Sequence, residues 1–311
     1  MIVVTGATGF IGRNLVKKLN FIGYQNLILV DKNKKNNILK DLVYKKFYNY
    51  NRFIYLINNS KFNYRISLIF HLGANSLTTE SNFPLILKEN YIYTKNLIHY
   101  CLKKNIKIIY ASSASVYGTN TKNFKENSIL NPSNFYSITK ALIDFYVLDI
   151  LKKNKKSKII GLRYFNVYGP GENKKKNMAS VIYHFNKQIS QKRYVNLFKG
   201  HNGYKDGEQV RDFVHVNDCV DVNIWFMKKK ANGIYNVGTG KISTFNLIAK
   251  EIFRYYNYKN DIKYIDIPLN LKNNYQNYTK ASLSLLRRIG YKKKFTSIKD
   301  GIKSYSDFLN K

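Results

Sequence analysis

The strand-like run Ile2-Val3-Val4-Thr5 leads directly into Gly6-Ala7-Thr8-Gly9-Phe10-Ile11-Gly12, and this junction restricts the chain more than any other stretch. Three glycines at that spacing permit a tight turn between a buried strand and a helix, with backbone that can approach a ligand closely. The free amides at the start of the following helix suit a pyrophosphate. Much further along, Tyr136-Ser137-Ile138-Thr139-Lys140 places a phenol and an ammonium one turn apart on one helix face. A glycine turn alone is common. Joined to this pair, with Ser113 between them, it points to an enzyme that holds a dinucleotide.

Short apolar runs at 2–5, 26–30, 68–71, 106–111 and 159–164 read as buried parallel strands, and helical patterns separate most of them. The fold class expected is α/β, a doubly wound parallel sheet with a smaller, mostly carboxyl-terminal α/β domain. Its 311 residues suit a large domain plus a small one. The segment 32–61, rich in Lys, Asn and Tyr, has no clean period, and a third strand is placed near Phe47. Beyond Pro170 the pattern changes, with 211–216 read as a strand and a helix-rich end. The expected division is interleaved: 1–167 and 212–240 hold the dinucleotide, and 168–211 and 241–311 hold the substrate.

The net charge of +35 invites a nucleic-acid reading, because phosphates attract such a chain. Its composition argues otherwise: of 53 basic residues 44 are Lys and 9 are Arg, whereas phosphate and base recognition draws on the Arg fork. The lysines form short scattered clusters such as 228–230 and 292–294 rather than one stripe. No nucleic-acid partner is expected, and a basic binding protein without catalysis stays as the alternative from another class. There is no uncharged run of about 18 apolar residues, and Met1 leads straight into the first strand, so a cytoplasmic protein with no membrane insertion is expected. Cys101 and Cys219 stand alone, in no spacing that suggests a disulfide or a metal.

Asp31 ends the second strand 19 residues after Gly12, where a carboxylate accepts from ribose hydroxyls. Alone it favours NAD over NADP; Lys32, Lys34, Lys35 and Lys40 just beyond can hold a 2′-phosphate, so the choice stays open. After the fourth strand, Leu72-Gly73-Ala74-Asn75-Ser76 lets the backbone pass close to a cofactor. Of the serines in Ala111-Ser112-Ser113-Ala114-Ser115-Val116-Tyr117, Ser113 is the candidate, at a strand end where ligands gather.

The glycine loop, Ser113 and the Tyr136/Lys140 pair resemble the extended short-chain dehydrogenase/reductases that act on nucleotide sugars, a Rossmann-type group. Arg163-Tyr164-Phe165-Asn166-Val167-Tyr168-Gly169-Pro170, Met178-Ala179-Ser180-Val181, 207–214, 233–240 and 275–279 narrow the resemblance to the ADP-L-glycero-D-manno-heptose 6-epimerases over nearly the whole chain. That resemblance implies epimerisation at C6 through a transient ketone, for lipopolysaccharide core precursors, with tightly held NADP (NAD remaining possible). It also implies a nucleotide-sugar substrate and a homopentamer. A hexose 4-epimerase or 4,6-dehydratase on another nucleotide sugar is the runner-up.

Carried onto this sequence, Tyr136 is one acid/base, with nearby positive charge from Lys140 and the oxidised nicotinamide favouring its phenolate; Lys140 also binds the nicotinamide ribose, and Ser113 bonds the reacting oxygen. Lys175, three before Met178, takes the place of the second acid/base, with Lys174 and Lys176 as alternatives one register away. The cofactor contacts implied are Gly6, Gly9, Phe10, Ile11, Gly12, Asp31, Lys32, the 72–76 loop, Asn90, Lys140, Val167 and Lys175. Those for the substrate are Ser113, Asn166, Asn177, His184, Phe198, Lys199, Gly200, His201, Arg211, whose fork matches a diphosphate, and Tyr275. The chain departs from the family pattern at Ile38, where a lysine reads the 2′-phosphate, at Lys46 and Leu72, usually acidic, and at Asn177, usually small.

Overall fold

A computed structural model describes residues 1–34, 36–119, 124–269 and 275–311. The chain divides into two compact units, Met1–Val116 with Asn134–Arg163 and Val220–Tyr235, and Tyr117–Ser133 with Tyr164–Cys219 and Asn236–Lys311.

The first unit is built on a seven-stranded sheet. In chain order its first six strands are β1 (Ile2–Thr5), β2 (Leu27–Asp31), β3 (Lys46–Asn49), β4 (Leu68–His71), β5 (Lys107–Ser113) and β6 (Ile159–Tyr164). Its seventh is β11 (Gly233–Val237), and the chain's other strands, outside this sheet, are β7 (Asn166–Tyr168), β8 (Val195–Phe198), β9 (Val210–Arg211), β10 (Phe213–His215), β12 (Ser243–Thr244) and β13 (Ile262–Ile265). The sheet order is β11-β6-β5-β4-β1-β2-β3. Pairing is parallel across β3-β2-β1-β4-β5, with Val3 opposite both Ile28 and Ile69. β1, β4 and all of β2 except Asp31 are buried throughout, as strands covered on both faces must be. The edge strand β3 is exposed at both ends, and an edge strand needs no apolar period; hence its faint sequence signal.

Helices supply the cover. On the helix Tyr93–Lys103 the buried residues Tyr93, Leu97, Ile98 and Cys101 recur at helical spacing, and they join Val3, Ile28, Ile69, Ile108, Phe53 and Val147 in one core. The helix Phe135–Lys153 begins where it does because of a capping box: the Asn134 side chain accepts from Ser137 N–H at 2.9 Å and Ser137 Oγ accepts from Asn134 N–H at 3.0 Å. That box fixes the first turn, which holds Tyr136.

The second unit has its own core, from Ile182, Phe185 and Ile189 of the helix Val181–Lys192, Ile248, Ile252 and Phe253 of Phe245–Tyr256, and Ile302 and Tyr305 of Ile298–Leu309. Its small sheets pair β7 with β10, β8 with β13, and β9 with β12. The continuous strand read over 211–216 is in fact two, β9 and β10, split at Asp212 and followed by a helix from Val216. The break has a cause. Asp212 is buried, and its carboxylate accepts from Thr239 N–H (2.7 Å) and Oγ1 (2.6 Å), Gly240 N–H (2.8 Å) and Ala281 N–H (3.0 Å), which draws three distant chain positions onto one point. Among the described residues no helix is long and apolar enough to cross a membrane.

Within the first unit the buried pair Arg163–Asp144, at 2.7 Å, binds the helix Phe135–Lys153 to β6. Asp144→Ala takes away the carboxylate facing a fully buried guanidinium. The expected loss is about 3–5 kcal/mol of unfolding free energy, read as a lower urea midpoint, and Asp144→Asn is expected to retain part of it.

Candidate functional site

In the first unit the sheet order reverses between β1 and β4, and at such a switch point the loops after the strands leave a crevice. Gly6 there has φ +67°, and a Cβ on it would lie 2.5 Å from Gly73 N; one on Gly12 would lie 2.0 Å from Gly6 O. The two strand ends therefore touch backbone to backbone, which only glycine allows. The helix Phe10–Phe21 starts at Gly9 with no side-chain cap, so Phe10, Ile11 and Gly12 sit at the N-terminal end of its dipole. A cradle that a Cβ would fill, beside an uncapped helix start, fits a dinucleotide pyrophosphate.

Asp31 is partly engaged. Its Oδ2 accepts from Thr8 N–H at 2.8 Å and Thr8 Oγ1 at 2.7 Å, and Oδ1 accepts from Lys32 N–H at 2.8 Å. The carboxylate thus ties β2 to the glycine loop, a link the sequence did not disclose. Lys32 is ion-paired with Glu89. Lys34 and Lys40 are exposed, while Lys35 lies outside the described residues. Ile38 is buried, which gives a packing reason for an apolar residue there. Near it, Arg13 donates to Ile38 O at 3.1 Å and to both oxygens of Asp41 at 3.0 and 2.9 Å, and Lys17 reaches Asp41 at 2.9 Å. Hydrogen bonding from Lys17, opposed by partial burial and reinforced by Arg13, holds the Asp41 carboxyl down at about 2. Neither cation was among the residues read from the sequence.

Leu72, Gly73 and Asn75 are partly buried and Ala74 and Ser76 exposed. Asn90, in a π-helical turn Leu87–Ile92, faces the protein: its Oδ1 accepts from Asn75 N–H at 2.7 Å, and its Nδ2 donates to Asn75 O at 2.9 Å and Thr139 Oγ1 at 3.1 Å. It braces the 72–76 loop against the helix that carries Tyr136. His71 is buried between Thr5 Oγ1 (2.6 Å) and Thr94 Oγ1 (2.8 Å), and burial, then the charge of Lys140, lowers it to about 3. A neutral, fully bonded imidazole is no proton shuttle.

Ser113, Tyr136 and Lys140 come together at the end of β5. Ser113 Oγ accepts from Ser115 N–H at 3.2 Å and Ser115 Oγ at 2.9 Å, and its side chain hydrogen-bonds Tyr136. Lys140 Nζ donates to Ala111 O at 2.8 Å and stands 5.8 Å from the centre of the Tyr136 ring. Burial lowers Lys140 to about 8, opposed by the charge of Asp144. Tyr136 differs from the expectation of a phenol eased toward its anion by Lys140: burial dominates and raises it, and the Ser113 bond pulls it only part of the way back.

In the second unit, Arg211 carries the clearest sign of a ligand. It is buried, its guanidinium carbon lies 5.4 Å from the ring centre of Tyr275 and 5.5 Å from that of Phe245, and Nη1 donates to Val210 O at 3.0 Å. No carboxylate forms an ion pair with it among the described residues, and a buried cation so placed is suited to an anion from outside. Phe198 meets Tyr275 edge-on at 5.6 Å. Lys199 pairs with Asp266, Gly200 N–H donates to Asp206 Oδ1 at 2.7 Å, and His201 has a buried Nδ1 with no bond among the described residues.

Asn166 on β7 is committed to Asp212 O (3.1 Å) and Thr279 Oγ1 (3.0 Å), and Val167 pairs with Val214. His184 is half-buried against Tyr183, and Asn177 is exposed. Lys175 lies in the 3-10 turn Glu172–Met178; it is half-buried whereas Lys174 is exposed, and the side chain of Lys176 lies outside the described residues. Burial lowers Lys175 and the Glu172 carboxylate opposes this. Glu172 itself escaped the sequence reading, although it is the one acidic residue in that turn.

The chain matches the NAD dependent epimerase/dehydratase family over residues 2–238. It is 42% identical, over 99% of its own length and 97% of the relative's, to ADP-L-glycero-D-manno-heptose-6-epimerase of Alkalilimnicola ehrlichii. Its fold is similar to that of the Helicobacter pylori ADP-L-glycero-D-manno-heptose-6-epimerase at TM-score 0.84 and 28% identity, covering 99% of this chain and 96% of that one. It is equally similar, at TM-score 0.84 and 28% identity over 99% and 98%, to the Thermotoga maritima UDP-glucose 4-epimerase solved with UDP-glucose. Structure alone therefore does not separate the two activities, and the full-length identity does the sorting. The chain belongs to the NAD dependent epimerase/dehydratase family, on the branch of the ADP-L-glycero-D-manno-heptose-6-epimerases.

Proposed function

We propose that this chain interconverts ADP-D-glycero-β-D-manno-heptose and its L-glycero isomer in the cytoplasm, by transient oxidation at C6, as a step toward lipopolysaccharide core. The cluster of Ser113, Tyr136 and Lys140 carries the chemistry, and the 42% relative carries the substrate. A nicotinamide dinucleotide, when bound on the Gly6–Gly12 loop, supplies reversible hydride exchange at C6. Tyr136 takes the O6 proton of one epimer as its alcohol becomes a ketone and returns a proton to O6 on the way back. Ser113 bonds that oxygen and, through its bond to Tyr136, offsets part of the burial that opposes the phenolate, while Lys140 would bind the nicotinamide ribose. Lys175 handles the O6 proton of the other epimer. Arg211 holds the diphosphate, and assembly is as a homopentamer.

NADP is the proposed cofactor. Its preference is modest, because Ile38 is buried and Lys32 is engaged with Glu89. The 4-epimerase likeness favours one second reading, in which the same cluster works at C4 of a hexose nucleotide; the sugar product, followed by NMR, decides between them.

Purified protein is expected to release a nicotinamide nucleotide on denaturation, identified by mass. An extract without one, together with no binding on titration, would end the cofactor assignment. Affinities for NADP and NAD are expected to differ by less than about a thousandfold, roughly 4 kcal/mol; a larger ratio would mean that residues near Ile38 discriminate strongly at the 2′ position.

Tyr136→Phe and Lys175→Met preserve bulk, and each is expected to cut epimerisation at least about a hundredfold with the fold unchanged. Each variant is expected to keep the half-reaction that its remaining base serves, assayed on an analogue with an aldehyde at C6. Near wild-type turnover in Lys175→Met, with loss in Lys174→Met or Lys176→Met, would move the assignment by one residue.

A further inference from the structure

The 3-10 turn Glu-Asn-Lys-Lys-Lys-Asn-Met, Glu172–Met178, reads in sequence as a solvated lysine run, yet its first residue has no exposed surface and Lys175 is half-buried. Glu172 Oε1 accepts from Gly169 N–H at 3.1 Å and from Ser180 Oγ at 2.8 Å, and Oε2 accepts from Ser180 N–H at 2.6 Å. One carboxylate thus joins the two ends of the segment 170–179. Both ends are fixed to rigid parts of the same unit. Gly169 directly follows β7, at φ +130°, where a Cβ would crowd Val216 and the His215 ring. Ser180 caps the helix Val181–Lys192, its Oγ accepting from Tyr183 N–H at 3.3 Å.

Inside this closed loop, Lys175 stands three residues after Glu172. In a 3-10 turn side chains at that spacing lie over one another, so the residue that closes the loop is on the same edge as the lysine. A buried carboxylate with three donors is costly to assemble and rigid once assembled.

We propose that Glu172 is a positioning residue for Lys175: by tying Gly169 to Ser180 it fixes the loop that presents the Lys175 ammonium to the sugar. This rests on Lys175 as the second acid/base. The carboxylate also opposes the fall in Lys175 basicity that burial imposes, in agreement with the same arrangement.

The test is a double-mutant cycle of Glu172→Gln and Lys175→Met on the holoenzyme, with kcat and KM measured for epimerisation. Glu172→Gln keeps the volume and turns one acceptor into a donor facing a backbone N–H. It is expected to lower kcat by about tenfold to a hundredfold, within the range of a misplaced acid/base, with KM changed less than about threefold. In the Lys175→Met background its effect is expected to shrink to less than about twofold. An equal factor in both backgrounds would mean that Glu172 serves only the fold, and would overturn the proposal with the Lys175 reading left standing. Undiminished turnover in Lys175→Met alone would overturn that reading and the proposal with it. Hydrogen exchange of peptides spanning 169–180 checks the clamp directly: faster exchange in Glu172→Gln supports it, and an unchanged rate overturns it. Should Glu172→Gln not fold, Ser180→Ala, which removes one bond to the same carboxylate, goes through the same cycle with a smaller expected factor.

Discussion

Asp144 has no exposed surface, and three side chains from two strands donate to it: Tyr110 Oη and Ser112 Oγ of β5, both at 2.9 Å, and Arg163 Nε of β6 at 2.7 Å. It is one turn after Lys140 on the helix Phe135–Lys153, so whatever holds Asp144 also sets the height and rotation of Lys140 and Tyr136 over the sheet. Ser113 closes the same strand that supplies two of the donors. The convergence of Ser113, Tyr136 and Lys140 thus depends on a buried carboxylate that none of them touches. The arrangement tolerates little change, since removing either partner leaves a buried charge or polar group short of hydrogen bonds.

The glycine loop is held with a comparable lack of tolerance, though by shape rather than charge. Gly6 and Gly12 leave no room for a Cβ, while Asp31 and Thr8 pin the loop to β2 and Asn90 pins the 72–76 loop to the helix Phe135–Lys153. Strand ends, not loop composition, define this crevice.

Buried charges in the second unit divide into two kinds. Asp212 and Glu172 have their donors supplied by their own chain, which marks them as fastenings. Arg211 is buried between aromatic rings with one backbone carbonyl and, among the described residues, no ion-paired carboxylate, which marks it as a receiver. The difference lies in whether the desolvation cost is offset within the protein or by a ligand.

Local spacing made much of the molecule readable in one dimension. A strand followed by close-set glycines, a phenol and an ammonium one turn apart, and uninterrupted apolar runs for strands covered on both faces all depend on neighbours within a few residues. The faint strand β3 and the false continuity of 211–216 mark the limit: an edge strand needs no apolar period, and Asp212 breaks a strand through partners 27 to 69 positions away. The roles of Asp144, Glu172 and Asn90, and the greater burial of Lys175 beside Lys174, were likewise decided by the folded chain. A buried polar group is defined by which distant donors reach it, and a lysine among lysines by which one is taken out of water; neither property is carried by the residue or by its neighbours in sequence.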